Sequence, residues 1–351
     1  TSYALVIAAM ATALPDGAGN DNFASWTNAN LDSVTEALDV YIRAGTGGGL
    51  GIAYGEMSAP GATGDTTVTV GTAAAKAFMT LAVKRQQMTV SGGCFTDDTE
   101  GTACTDDGGD AIKVAVNGVV QSASDTTVDG SWSFQISQPP SGVVMVFFRD
   151  GETTEAKECT TVTKYDGSGN VDLVKMYESQ LVIGTDTGSA NSAQTITIAD
   201  LDTAANGYEN SDSEYVLYDV TAGDDLTVDA ESTHAETLYV IGSNIFAPGG
   251  DTATLNLISE GTVTAGSDAL DILGNFTNSG TFTSESGTTT LDGTAAQTIT
   301  GDFSDTSYFY NLAVGNGSDS TVASFSAADV DVKNILTVFA NATLNAGSGT
   351  W

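Results

Sequence analysis

The chain has 351 residues, 41% of them apolar, which is enough for two or three domains with sizeable cores and excludes wholesale disorder. Its 10 Lys and Arg stand against 45 Asp and Glu, a formal net charge of −35. Phosphate-bearing partners need cations to neutralise them, so nucleic acid and an anionic membrane surface are excluded.

The first elements lie in an apolar start, Thr1–Leu14, uncharged and too short for a membrane span of about 20 residues. It reads as a signal-peptide core, a buried strand of its own domain, or an exported segment donated to a neighbouring subunit. The last reading makes Ala4, Leu5, Val6, Ile7, Met10 and Leu14 an assembly segment (residues 1–27), swung out on the turn-rich stretch Pro15–Asn22. Asn28–Arg43 has helical spacing at Leu31, Val34, Leu38 and Tyr41, with Asn30 as cap. Gly45–Gly51 lacks the Gly-Lys-Ser/Thr of a phosphate loop and reads as a turn or linker. With strands at Thr66–Val70 and Phe78–Val90, residues 28–90 read as a small α+β region.

Residues 91–171 alternate. Ile112–Gln121 alternates around Asn117-Gly118, and Asp129-Gly130 precedes alternating Trp132, Phe134 and Ile136; Val143–Phe148 is a continuous apolar run. The stretch TVDGSWSFQISQPPSGVVMVFF resembles immunoglobulin-like modules of bacterial and archaeal surface proteins, which implies a β-sandwich used as spacer or stalk. Cys94 and Cys104 flank a short acidic loop and could close it, as an oxidising compartment allows, and Cys159 is the alternative partner of either. Asp97, Asp98, Glu100, Asp106, Asp107 and Asp110 gather carboxylates there, which makes calcium the candidate ion. Asp16, Asn20, Asp21 and Asn22 form a second, weaker set of oxygen ligands.

From residue 172 to 351 the chain is a series of short strands. Leu238-x-Val-Ile-Gly is echoed by Leu270-x-Ile-Leu-Gly, 32 residues later, and Leu336-Thr-Val-Phe-Ala lies 66 beyond that. Gly274–Phe282 (GNFTNSGTF), Thr290–Ile299 (TLDGTAAQTI) and Phe309–Leu312 (FYNL) resemble repeats of exported surface proteins that wind as parallel β-helices. The resemblance implies an all-β protein ending in a parallel β-solenoid, with Leu238, Val240, Leu270, Ile272, Leu312 and Leu336 facing inward. Residues before Trp351 look like mid-repeat, so the polypeptide is expected to continue.

No catalytic constellation stands out. The one histidine, His234, sits in a polar loop, and after Lys175 the only basic residue is Lys333, too few cations for a lyase of acidic sugars. Asn275, Asn316 and Asn341 match the N-glycosylation pattern. The expectation is a non-enzymatic, extracellular structural subunit of a cell-surface filament, sheath or surface layer, with itself as partner. Its rivals are an adhesin binding surface glycans through Tyr308, Phe309 and Tyr310, and a β-helix enzyme that acts on glycans with a carboxylate pair.

Overall fold

The computed structural model describes residues 4–13, 23–42, 47–57, 61–70, 75–84, 86–104, 111–127, 129–150, 157–205, 217–221, 225–228, 237–318, 320–326 and 329–351. They are almost entirely β, in two compact units, Thr1–Gln87 and Met88–Trp351. No helix among the described residues is long and apolar enough to cross a membrane.

The first unit has six strands: β1 (Ala4–Thr12), β2 (Phe23–Thr27), β3 (Val34–Ile42), β4 (Gly48–Met57), β5 (Thr67–Val70) and β6 (Lys76–Lys84). A four-stranded sheet runs β3-β4-β1-β6, all antiparallel, and β2 pairs with β5 beside it. Ala8, Met10, Phe23, Trp26 and Ala53 form its core. Two sequence expectations fail here. The helix expected over Asn28–Arg43 is a turn followed by β3, because β-branched Val34, Thr35, Val40 and Ile42 pair along β4. Within the glycine-rich stretch read as a turn or linker, Gly48–Gly51 instead opens β4, while Gly45 and Thr46 lie outside the described residues. Glycine is needed there because a Cβ on Gly51 would stand 2.6 Å from the Phe23 ring and 2.9 Å from Trp26. Bare backbone lets these aromatics lie flat on the sheet.

In the second unit, β7 (Gln87–Phe95), β8 (Ala111–Val116), β9 (Val119–Val120), β10 (Ser131–Ser137), β11 (Val144–Asp150), β12 (Cys159–Lys164) and β13 (Val171–Tyr177) make two facing layers. One is the sheet β10-β7-β13; the other contains β9, β8, β11 and β12. Asn117 and Gly118 have φ of 50° and 74°, and Asp129 and Gly130 have φ of 50° and 78°, so both expected turns form. Trp132, Phe134 and Ile136 point inward, onto a core with Phe147 and Val174. The β7–β13 pair is parallel.

The strand β14 (Gln180–Ile183) then pairs in parallel with β12, and a solenoid begins. Its first coil adds β15 (Thr195–Ile196), the helix α1 (Ile198–Ala205), β16 (Tyr218–Thr221) and β17 (Asp225–Val228). The next coils are β18 (Thr237–Val240), β19 (Ile245–Phe246), β20 (Thr252–Thr254); β21 (Asn256–Ser259), β22 (Thr262–Thr264), β23 (Ala269–Ile272); and β24 (Phe276–Asn278), β25 (Thr281–Thr283), β26 (Thr288–Leu291). Then come β27 (Ala296–Gly301) and β28 (Phe309–Val314), β29 (Val322–Ser326) and β30 (Val332–Val338), and finally β31 (Thr343–Asn345). Like strands stack into three sheets, and one eleven-stranded sheet runs unbroken from β9 to β31. Four of the strands read as a sandwich, β8, β9, β11 and β12, therefore share one sheet with strands of the solenoid.

Each coil buries its apolar side chains against the next, two on strands such as β18 (Leu238, Val240) and β23 (Leu270, Ile272), one on β25 (Phe282). Phe276, Phe282, Phe303 and Phe309 stack inside with ring centroids 4.8 to 6.4 Å apart. Leu238, Val240, Leu270, Ile272 and Leu312 face this core as expected. Leu336 does not. It lies on β30, the edge of its sheet, and is 44% exposed. The 32-residue echo is also not the repeat: Leu238 and Leu270 lie on different sheets, and paired residues in neighbouring coils are 17 to 19 apart from β18 to β26 and 21 to 26 apart further on.

Candidate functional site

The three cysteines converge. Cys94 on β7 is bridged to Cys104, closing a hairpin whose backbone is tied by Cys104 N to Cys94 O at 3.0 Å and Thr96 N to Thr102 O at 2.9 Å. Cys159, on the facing layer, brings its Sγ to 3.7 Å from Cys94 Sγ, and all three residues are buried. Of the three pairings the sequence leaves open, Cys94–Cys104 is formed and Cys94–Cys159 brings its sulfurs into contact, with Cys94 common to both.

The acidic tip of that hairpin does not converge in the same way. Asp97 accepts hydrogen bonds from the amide and hydroxyl of Thr99 and so caps its own turn. Glu100 is held by Lys175 Nζ at 2.6 Å and by the Tyr177 hydroxyl at 3.0 Å. Asp98 is exposed. Among the described residues the only group of three candidate ligands with clustered donor atoms is the cysteine trio itself. Asp106, Asp107 and Asp110 lie outside the described residues, as do Asp16, Asn20, Asp21, Asn22 and His234. Behind the tip, Tyr177 stacks on Tyr239 at 5.6 Å. Burial first, then the bond to Glu100, pushes the Tyr177 phenol far above its usual range; burial and Glu260 do the same for Tyr239. Both stay neutral donors.

The proposed donor strand is accounted for within its own chain. β1 is a central strand, paired over its whole length with β4 on one side and β6 on the other. Its backbone groups are already bonded, so it does not swing out to add to another sheet. Leu14 lies outside the described residues. Ala4, Val6 and Met10 are buried on the inner face, whereas Leu5 and Ile7 point to the other side.

That outer side carries a broad set of exposed apolar residues. Register sets its residues in cross-strand rows: Leu38, Ile52, Ala9 and Met79; then Thr35, Tyr54, Ile7 and Leu81; then Val40, Leu50, Ala11 and Ala77. Leu5 and Val83 continue it, with Glu56 at the corner. Met79 is 60% exposed and Ile42 is 68% exposed. In a chain of net charge −35, four strands thus present a nearly uncharged apolar face. Sequence reading took the residues of β1 as a segment and missed the face, because three of its four strands are brought in by long-range pairing.

On the solenoid, Phe309 is fully buried in the phenylalanine stack and cannot meet a glycan. Tyr308 and Tyr310 flank it half-buried, and Lys333 lies over the Tyr308 ring at 5.3 Å. Asn275, Asn316 and Asn341 are all exposed, although Asn275 Oδ1 also accepts the Thr298 amide at 2.8 Å and so braces two coils. Carboxylates run up one side at Asp251, Asp271 and Asp292. Burial, followed by the fields of Asp292 and Asp251, raises the Asp271 carboxyl against the opposing Thr290 hydrogen bond. No protein-family model, curated protein or solved structure matches the chain.

Proposed function

We propose that the chain is a structural protein of an extracellular cell-surface assembly, a subunit of a filament, sheath or surface layer, whose partner is itself. The observation that carries this reading is the unbroken eleven-stranded sheet and the aromatic stack it encloses. A coil bonded along its length to the coils before and after it makes a stiff spacer, since bending must open backbone pairs. The Cys94–Cys104 bridge supports an oxidising compartment. The loss of Phe309 to the core weighs against the adhesin reading.

Immunogold labelling and negative-stain imaging of the native cell surface test the reading. Polymeric surface material containing the chain is the expected result. A chain present only as a dispersed monomer, or one that cleaves glycans, overturns it.

A further inference from the structure

The geometry points to a self-docking surface: the outer face of β3-β4-β1-β6 packs on the same face of a second copy of this chain, making a sheet-on-sheet dimer. The inference names the partner and surface of the structural reading above and takes its biological setting from it.

Size is the first argument for a second copy. Four strands about 4.8 Å apart, each about nine residues at about 3.4 Å, span roughly 20 by 30 Å, or about 600 Å² per copy. Two copies then bury about 1,200 Å², the lower bound for specific interfaces. Shape is the second. A broad sheet face is best covered by another sheet about 10 Å away, with rows of side chains interleaved, and the face that meets this need is this one. An isologous two-fold contact requires only that one patch fit itself. Charge is the third. The rows contain no cation or anion except Glu56 at the corner, so they offer nothing to a charged partner. The remaining surface is strongly acidic, and two copies repel everywhere except where the contact is neutral. The edge strand β6 is exposed along its length and carries Met79, Leu81 and Val83 into the contact.

Salt separates this occupant from a basic partner. Screening weakens repulsion between two acidic copies, so self-association tightens as salt rises, whereas binding to a cationic partner weakens. The experiment is sedimentation equilibrium of the full chain across protein concentration, in about 0.1 M and about 1 M NaCl. A monomer–dimer equilibrium that tightens with salt is expected. Met79→Lys with Leu81→Lys places like charges across the contact and weakens it at least about 100-fold. Thr80→Lys, on the same strand but the opposite face, leaves it unchanged. Circular dichroism melting keeps a folding defect distinct, and Leu81→Gln supplies a milder variant if the double one unfolds.

A monomer at every concentration and salt overturns the inference. So does a dimer indifferent to Met79→Lys with Leu81→Lys, or tight association only with a basic protein. A dimer broken by these variants, together with a cell surface free of polymer, leaves the surface assigned and the structural reading wrong. Polymer on the cell surface that ignores these variants gives the reverse.

Discussion

Cys159 Sγ stands 3.7 Å from Cys94 Sγ, although 65 residues separate them and Cys94 is already bridged to Cys104. Cys94 belongs to β7 of the three-stranded sheet and Cys159 to β12 of the eleven-stranded one, so a bond between them would staple the two layers. The Cys104→Ser variant, refolded with glutathione disulfide as oxidant, is expected to form the Cys94–Cys159 bond instead. Non-reducing peptide mapping reads the linkage, and alkylation under denaturing conditions then finds no thiol in the variant and one in the native chain. Two alkylated thiols in the variant would show that the sulfurs do not meet.

The glycines of the solenoid corners fix the distance between coils. A Cβ on Gly280 would lie 1.9 Å from Gly261 O and 2.4 Å from Glu260 O, both backbone atoms of the coil below. Neither can move without shifting a strand. Gly280→Ala therefore destabilises the second unit by about 2 to 3 kcal/mol, as overpacking does elsewhere. Gly61→Ala, where a Cβ meets open space, changes stability by less than about 0.5 kcal/mol. Urea unfolding followed by far-ultraviolet circular dichroism measures both.

Gln297 explains another position of the repeat. It is buried, its amide nitrogen donates to Ile272 O at 2.8 Å and Gly274 O at 2.6 Å, and its amide oxygen accepts Gly293 N at 3.1 Å. Three backbone groups of two coils thus depend on one side chain. Gln297→Leu keeps the volume and orphans all three, for a loss of roughly 2 to 4 kcal/mol. A variant as stable as the native chain in the same urea series would show that water takes over these bonds.

What could be read from the sequence was local. Asn117-Gly118, Asp129-Gly130 and the alternation of Trp132, Phe134 and Ile136 are short-range patterns, and each formed as expected. The motif residues Phe276, Phe282, Leu291, Ile299, Phe309 and Leu312 are the inward side chains of successive strands, which is why the solenoid was legible. Long-range pairing decided the rest. Leu31, Val34, Leu38 and Tyr41 satisfy a helical period, yet Leu38, Val40 and Ile42 also alternate, and only the pairing with β4 chooses between the two. The coil length was hidden because Leu238 and Leu270 open similar patterns, Leu-x-Val-Ile-Gly and Leu-x-Ile-Leu-Gly, but occupy different sheets. The apolar face had no signal of its own, since no stretch of sequence contains it.

Asp271 gives a pH-dependent prediction whose sign follows from its surroundings. The residue lies on β23 opposite Thr290, half-buried, between the carboxylates of Asp251 and Asp292. Burial is the largest influence and disfavours the charged form; the two neighbouring anions add to it, and the Thr290 hydroxyl opposes both. The folded-state pKa is therefore raised above that of the unfolded chain, near 4. A raised value means that the fold favours the protonated acid. Its contribution is fully present below the unfolded value and is lost as pH rises through the folded value, so at pH 7 the ionised group works against the fold. Asp271→Asn removes that charge and keeps an oxygen for the Thr290 hydroxyl. The variant is expected to be more stable than the native chain at pH 7, by no more than about 1 kcal/mol once solvent screening is allowed for. The difference should shrink as both are acidified and vanish near pH 3, where the native carboxyl is protonated in both states. Paired urea unfolding curves at pH 7 and near pH 3 measure it. A variant less stable at pH 7 would mean that Asp271 is held as an anion by a partner such as a bound cation, and a gain that persists unchanged in acid would mean that the charge is not its source.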